Sequence, residues 1–339
     1  MAHRKNKKIW LVPVIAGAAA VAAGCFLVYR GMTEKDAAQT GAVSEQTMQK
    51  DTESVSSGGV TWQGKKYVYN DHLSNFLFLG VDTREKMSTS QGQADAGQTD
   101  ALFLISWDRA AHNIALITIP RDTMTDIETF DVEGNSLGMS KDHISLAYAF
   151  GDGENRSCEL SQEAVSNLLY GIPIQGYCSI NMDAIPILAD AIGGVSVTVP
   201  DDSLEAVDPQ FQEGTEVLIT SENAETFVRY RDTEQSQSAI ARMNRQNIFL
   251  DAYAAKAKEE FSQNPRFITG LYTDLEPYMV TNIGNDQFAK VLQDASEESM
   301  RARWTVPGEG TQGETFDEYH VDDSQLYEKI IETFYEEAE

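Results

Sequence analysis

The sequence is poor in the residues on which many enzymes rely. It has three cysteines and five histidines in 339 residues, with no zinc-type Cys/His spacing and no histidine placed for a triad. No glycine-rich loop of the nucleotide-binding kind is present, and Gly193-Gly194 reads as a helix stop. Positive charge is also scarce: 26 Lys and Arg stand against 53 Asp and Glu, a net charge of −27. Five of the basic residues (Arg4, Lys5, Lys7, Lys8 and Arg30) fall in residues 1–30, which contain no acid. The remainder therefore holds 21 basic and 53 acidic residues, a net charge of −32. Such a body repels a phosphate backbone, which excludes a nucleic-acid partner. Any basic cluster within it needs a reason.

The longest hydrophobic run is Ile9 to Tyr29, 21 residues without a charge. That length spans a bilayer as a helix, and the basic residues before it place the N-terminus in the cytoplasm and the body outside. A cleaved signal peptide and a lipoprotein signal ending at Cys25 are the alternatives; Ala22 is a weak residue for the latter. The expected organisation is a basic cytoplasmic tail at 1–8, a transmembrane anchor at 9–29, a polar tether at 30–69 and one external domain at 70–339. As a flexible coil the tether spans on the order of 35–40 Å. Cys158 and Cys178 are read either as a disulfide, if the body is outside the cell, or as two small buried thiols.

The rest is organised around Asn75 to Asp122. Phe76–Leu79, Ala101–Trp107 and Ile114–Ile119 are short apolar runs bounded by turn residues, as in strands covered on both faces. Asp82, Arg84, Asp100, Arg121 and Asp122 stand at their ends, where binding groups collect on open sheets. Val60 to Tyr69 reads as a small strand pair. A polar stretch then runs to about Asp142, followed by helices at Ile144–Phe150 and at Ser161–Tyr170, with Ser161 as N-cap. Strand, helix and strand follow at Tyr177–Asn181, Asp183–Ile192 and Val195–Val199. Helices are expected at Thr220–Val228, Ala239–Phe261, Gln287–Leu292 and Gln325–Tyr335, with a strand near Trp304–Val306. The alternation predicts an α/β domain with a central, mostly buried sheet flanked by helices.

Arg229, Arg231, Arg242 and Arg245 lie within 17 residues of this acidic body. Arg242 and Arg245 share a helix face by their spacing. Guanidinium forks match phosphate oxygens and stay charged at any working pH. One arginine would be read as a surface ion pair, but four together read as an anion site. Asp82 and Asp100 fit Mg²⁺, which takes one or two carboxylates plus phosphates and waters. Taken singly, each reads as a turn or cap residue.

Six segments in order, FLFLGVDTR, QTDALFLISWD, ITIPRDT, ISLAYAFG, VRYRD and ARMNRQ, resemble the motif series of the LytR–CpsA–Psr family. The anchor, tether and single external domain match it too, and the likeness extends over about residues 72–335. The resemblance implies an extracytoplasmic phosphotransferase of a Gram-positive-type envelope. It would move a glycopolymer from a polyprenyl-pyrophosphate carrier to a muramic acid hydroxyl of peptidoglycan through a phosphodiester. It also implies an α/β sheet domain with an apolar pocket for the lipid. Asp82 and Asp100 would hold Mg²⁺, with Mn²⁺ as an alternative. Arg84, Arg121, Arg229, Arg231, Arg242 and Gln246 would grip the pyrophosphate, with Arg245 and His143 in the same set. His143 replaces a common family lysine, and Ala239 replaces a common aspartate. Transfer at a pyrophosphate needs charge neutralisation and alignment more than covalent chemistry. Arg121 would stabilise charge, and Asp82 or Asp122 would accept the acceptor's proton. Ile185, Leu188, Ile192, Ile248, Phe249 and Tyr253 would line the lipid pocket or form ordinary core. A pyrophosphate hydrolase and a non-catalytic envelope regulator are the rival readings.

Overall fold

The computed structural model describes residues 59–84, 88–230, 245, 248–249, 252–253, 255–257, 259–260, 263–264, 266–294, 300–313 and 316–338. The expected tail and anchor, and the tether up to residue 58, lie outside these residues. Among the described residues no helix is long and apolar enough to cross a membrane.

The chain enters through a hairpin of β1 (Val60–Trp62) and β2 (Lys65–Tyr69). It continues into β3 (Leu73–Val81), β4 (Thr99–Asp108) and β5 (Asn113–Ile119), the three expected strands. A second hairpin follows, β6 (Met124–Phe130) and β7 (Ser136–His143), and then α1 (Leu146–Ala149) and α2 (Asn155–Leu168). Next come β8 (Gly176–Ile180), α3 (Ala184–Ala191), β9 (Val195–Thr198), β10 (Glu216–Ile219) and α4 (Ala224–Arg229). The described residues between 245 and 260 include further helical positions. After them stand α5 (Phe267–Leu275), β11 (Met279–Thr281), α6 (Asn285–Asp294) and β12 (Met300–Thr305). The chain closes with hairpin β13 (Gly308–Gln312) and β14 (Asp317–Val321), then α7 (Asp323–Phe334) and β15 (Tyr335–Glu337).

The central sheet has the order β11-β8-β3-β4-β5-β12. β4 runs antiparallel to β3 and β5, while β8 runs parallel to β3 and β12 parallel to β5. The sheet is thus mixed, with antiparallel pairs at its middle, a parallel pair on each side of them, and β11 antiparallel to β8 at one edge. Consequently the C-terminal ends of β3, β5, β8 and β12 and the start of β4 share one rim. The period of two sends Phe76, Phe78, Phe103 and Ile105 to one core, and Leu77, Leu79, Leu102 and Leu104 to the other. Each such fully buried side chain contributes roughly 1.5–3 kcal/mol. That burial fixes the register, because a one-residue slip would turn both sets over.

Three expectations need correction. The polar stretch after Asp122 is the β6–β7 hairpin, turned at Asp131, whose carboxylate accepts from the Glu133 and Asn135 amides. Ser161 is no cap: α2 begins at Asn155, and the Ser161 hydroxyl donates to the Ser157 carbonyl at 2.9 Å. The second strand of the expected strand–helix–strand unit, β9, stands apart from the central sheet: among the described residues it pairs with β10. The cysteines are resolved in favour of thiols: Cys158 and Cys178 are both free and buried. Cys178 belongs to the core on one side of the sheet and Cys158 to the core on the other. The neighbouring Ser179 turns to the Cys158 side and accepts from its thiol at 3.4 Å.

Candidate active site

The rim brings together the residues that end β3, begin β4 and follow β5. Gln98 and Asp82 exchange contacts at the mouth of β3 and β4: the Gln98 amide donates to Asp82 Oδ1 at 2.7 Å, and the Asp82 amide donates to the Gln98 carbonyl at 3.0 Å. Gly97 precedes them at φ +89°, and a Cβ there would come within 2.4 Å of Thr83 Cγ2 and 3.1 Å of Asp82 Oδ1. Glycine is therefore required for the chain to pass close to Asp82.

Arg121 follows Pro120, which ends β5. Its guanidinium donates through Nη1 to Asp100, through Nη2 to Gln98 Oε1 at 2.9 Å and through Nε to Asp122 Oδ1 at 3.2 Å. Arg121, Asp100 and Asp122 are each partly exposed, so this fork is fixed by protein groups yet open to solvent. A ligand phosphate would meet a guanidinium already oriented.

A second cluster begins two residues beyond Asp82. Arg84 is bonded through both terminal nitrogens to Glu225 in the first turn of α4, and its Nη1 lies 3.9 Å from Asp183. Arg229, one turn along the same helix, reaches Glu225 at 2.5 Å. Burial pushes the Glu225 carboxyl up, but the hydrogen bonds and charges of Arg84 and Arg229 outweigh it and hold the group below its usual range. The same hydrogen bond raises the Arg84 guanidinium. Met182 ties the β8–α3 turn to this end of β3 by donating to the Thr83 carbonyl at 2.9 Å.

Two expected phosphate ligands are committed elsewhere. Arg245 is 1% exposed. It donates to the carbonyls of Phe227 and Tyr230 and to the Ser203 hydroxyl, so it braces the end of α4 from inside. His143 directs Nδ1 to Asp142 and Nε2 to the Asp317 carbonyl at 2.9 Å, linking the end of β7 to β14. Arg231, Arg242, Gln246 and Ala239 lie outside the described residues. Gln98 and Glu225 were not anticipated. Their signal was position: Gln98 opens the QTD segment, and Glu225 is one helical turn before Arg229.

Among the described residues no group of three or more His, Cys, Asp or Glu side chains is placed to hold a metal. Asp82 and Asp100 are carboxylates of the same rim, and one or two carboxylates with phosphates and waters are the donor set that Mg²⁺ usually takes. Leu188, Ile192, Phe249 and Tyr253 are buried in the core on the Phe78 side of the sheet, with Ile185 and Ile248 packed against it. The Tyr253 hydroxyl there is buried with no hydrogen-bond partner among the described residues. On another side of Arg121 a cavity of about 470 Å³ lies between the ends of β4 and β5 and the β13–β14 hairpin.

Comparison with known proteins agrees with this architecture. Residues 31–333 match the model of the LytR_cpsA_psr family. The polyisoprenyl-teichoic acid–peptidoglycan teichoic acid transferase TagU of Halalkalibacterium halodurans is 33% identical over 188 residues, 56% of this chain and 54% of that protein. The match thus spans about half of that relative's length. A TagU of Bacillus mycoides is 28% identical over 244 residues, 70% of this chain and 69% of that protein. Among solved structures, protein gbs0355 of Streptococcus agalactiae superposes with a TM-score of 0.57 at 20% identity, covering 77% of this chain and 87% of that one. TagV of B. subtilis gives 0.54 at 19% identity, covering 78% and 98%. A structure described as TagT bound to LI-WTA gives 0.51 at 20%, covering 78% and 90%. At these identities the structural likeness speaks for the fold.

Proposed function

The chain belongs to the LytR_cpsA_psr family, and from that membership we propose that it is an envelope phosphotransferase joining a teichoic acid-type glycopolymer to peptidoglycan. The donor is the polymer on a polyprenyl-pyrophosphate carrier; for the TagU relatives the names give a polyisoprenyl-teichoic acid and peptidoglycan. One observation supports this reading above the others: Asp82, Asp100 and Arg121 meet at one rim, with Arg84 and Arg229 joined through Glu225 beside them.

In this mechanism Arg121, Arg84 and Arg229 hold the two linked phosphates, and Asp82 and Asp100 would hold a Mg²⁺ ion. When bound, that ion neutralises charge on the phosphate oxygens. Arg231, Arg242 and Gln246 are assigned to the same phosphates by their motifs. The acceptor hydroxyl oxygen attacks the phosphorus that carries the polymer. A new P–O bond forms, the bridging P–O bond breaks, and lipid monophosphate leaves with the electron pair. The hydroxyl proton passes to a carboxylate of the rim, Asp82 or Asp122. Arg121 is placed to stabilise the charge that grows on the bridging oxygen. His143 and Arg245 act on the scaffold, as a tie to β14 and a brace under α4. The anchor at 9–29 would keep the domain at the outer membrane surface, where the carrier lies.

Incubation of the full chain with labelled carrier-linked polymer and peptidoglycan fragments tests the reading. Transfer yields a joined product and lipid monophosphate in equal amounts. Release of phosphorylated polymer with no joined product would identify a hydrolase instead.

A further inference from the structure

We propose that the cavity between the β13–β14 hairpin and the ends of β4 and β5 is the acceptor subsite, and that it takes an uncharged N-acetylhexosamine unit of a peptidoglycan strand. The inference rests on the phosphotransferase reading for its role and on the cavity itself for its ligand.

The cavity begins where the phosphate cluster ends, since Asp100, Arg121 and Asp122 form part of its wall. Its volume, about 470 Å³, lies in the range of small-ligand sites. The sheet side is apolar, from Leu102, Ile119 and Pro120, while the hairpin side presents Thr311 and Gln312. An N-acetylated sugar has the matching character, with hydroxyls and amide for the polar wall and ring hydrogens and a methyl for the apolar one. Thr118 and Thr305, paired across β5 and β12, also belong to the wall. Their Oγ1 atoms are buried with no hydrogen-bond partner among the described residues. Buried hydroxyls in that condition are costly, and a side-chain rotation that turns either one into the cavity would let a polar ligand satisfy it.

Charge selects the class of sugar. Four acids line the cavity, Asp100, Asp122, Asp317 and Glu318, against the single cation Arg121, which is already paired with two of them. A phosphate-rich donor polymer is repelled from such walls, whereas a neutral glycan is not. Position then separates the two candidate bases. Asp122 lines the cavity and Asp82 does not. An acceptor hydroxyl directed from the cavity toward the phosphates passes Asp122, which takes its proton as the sugar oxygen bonds to phosphorus and lipid phosphate departs.

The test is a titration of the full chain in nanodiscs with tri-N-acetylchitotriose and, separately, with polyglycerol phosphate. The wild type is expected to bind the neutral sugar. Gln312→Ala and Thr311→Val, both at exposed hairpin positions outside the phosphate cluster, should each weaken it about five-fold. Thr118→Val should weaken it while leaving the thermal midpoint unchanged or higher, a combination that misfolding does not produce. In the transfer assay Gln312→Ala should raise KM for the glycan and leave KM for the carrier-linked donor unchanged. Unaltered sugar affinity in all three variants, no binding by the wild type, or equal binding of polyglycerol phosphate would each overturn the subsite. If the sugar binds with the expected losses but no joined product ever forms, the subsite stands and the phosphotransferase reading falls.

Discussion

Arg121 donates through Nη1 to Asp100, a residue 21 positions earlier at the start of the neighbouring strand. The contact closes the gap between the ends of β4 and β5 and aims the remaining guanidinium donors at Gln98 and Asp122. Both side chains stay partly exposed. The ion pair therefore adds little stability, and its value lies in orientation.

Arg121→Ala is accordingly expected to lower transfer by about 10²–10³-fold, with a thermal midpoint within a few degrees of wild type. Arg121→Lys keeps the charge but loses the fork, and should restore only a small part of the rate. Rates with labelled carrier-linked polymer, read beside thermal melts, check both. An Arg121→Ala protein that transfers at the wild-type rate would remove the fork from the mechanism.

Glu225 gives a pH-dependent signature. Its folded carboxyl is held below the ordinary value of 4.5. A carboxyl shifted in that direction stabilises the fold above its unfolded pKa, and the contribution is lost as pH falls through the folded value. The difference in melting temperature between wild type and Glu225→Gln should be full at neutral pH and shrink below about pH 4.5. A difference that stays constant from pH 7 to pH 3 would contradict the Arg84–Glu225–Arg229 cluster.

Arg245 should behave as a structural residue. Arg245→Met leaves the Phe227 and Tyr230 carbonyls without their donor, at a cost of about 3 kcal/mol. Urea unfolding measures it. Lysine should fail to rescue, because one ammonium cannot reproduce the planar fork. An Arg245→Met protein of wild-type stability whose KM for the carrier-linked donor alone rises would return this arginine to the phosphates.

The thiols offer a separate check. Burial pushes Cys158 and Cys178 each up to about 12. At pH 8 both are protonated and shielded, so alkylation of the native protein should spare their peptides, while denaturation should expose both. Reductant should leave the melting temperature unchanged. A Cys158–Cys178 cross-linked peptide in non-reduced protein would contradict the placement of the two residues in separate cores.

The central sheet was legible because its strands are buried on both faces, which leaves unbroken runs such as Phe76–Leu79 and Ile114–Ile119. The rim followed from those runs, since Asp100 and Arg121 directly flank them. In the β6–β7 hairpin β7 was not legible: Ser136–Met139 is exposed throughout, so no buried face imprints alternation there, and β6 buries its large apolar Ile127 and Phe130 three residues apart. β13 hides for the same reason, and with it the cavity wall. Ser161 misled because a serine before an apolar stretch reads as a cap, although the helix had already begun at Asn155. The cysteine alternatives turned on strand parity at Cys178 and Ser179, which spacing alone does not reveal. Arg245 looked like its neighbours in sequence, and only burial separates a brace from a ligand.

The central claim is that one crevice holds two linked phosphates between Arg121 and the Arg84–Arg229 pair. A crystal structure of the protein with Mg²⁺ and a short-chain prenyl methylenebisphosphonate tests it most directly. The account predicts both phosphorus atoms within reach of these guanidiniums, Asp82 and Asp100 turned to the metal, and Arg121 drawn from Asp100 onto phosphate oxygen. A bisphosphonate bound on another face, with Arg121 still bonded to Asp100 at saturation, would contradict it.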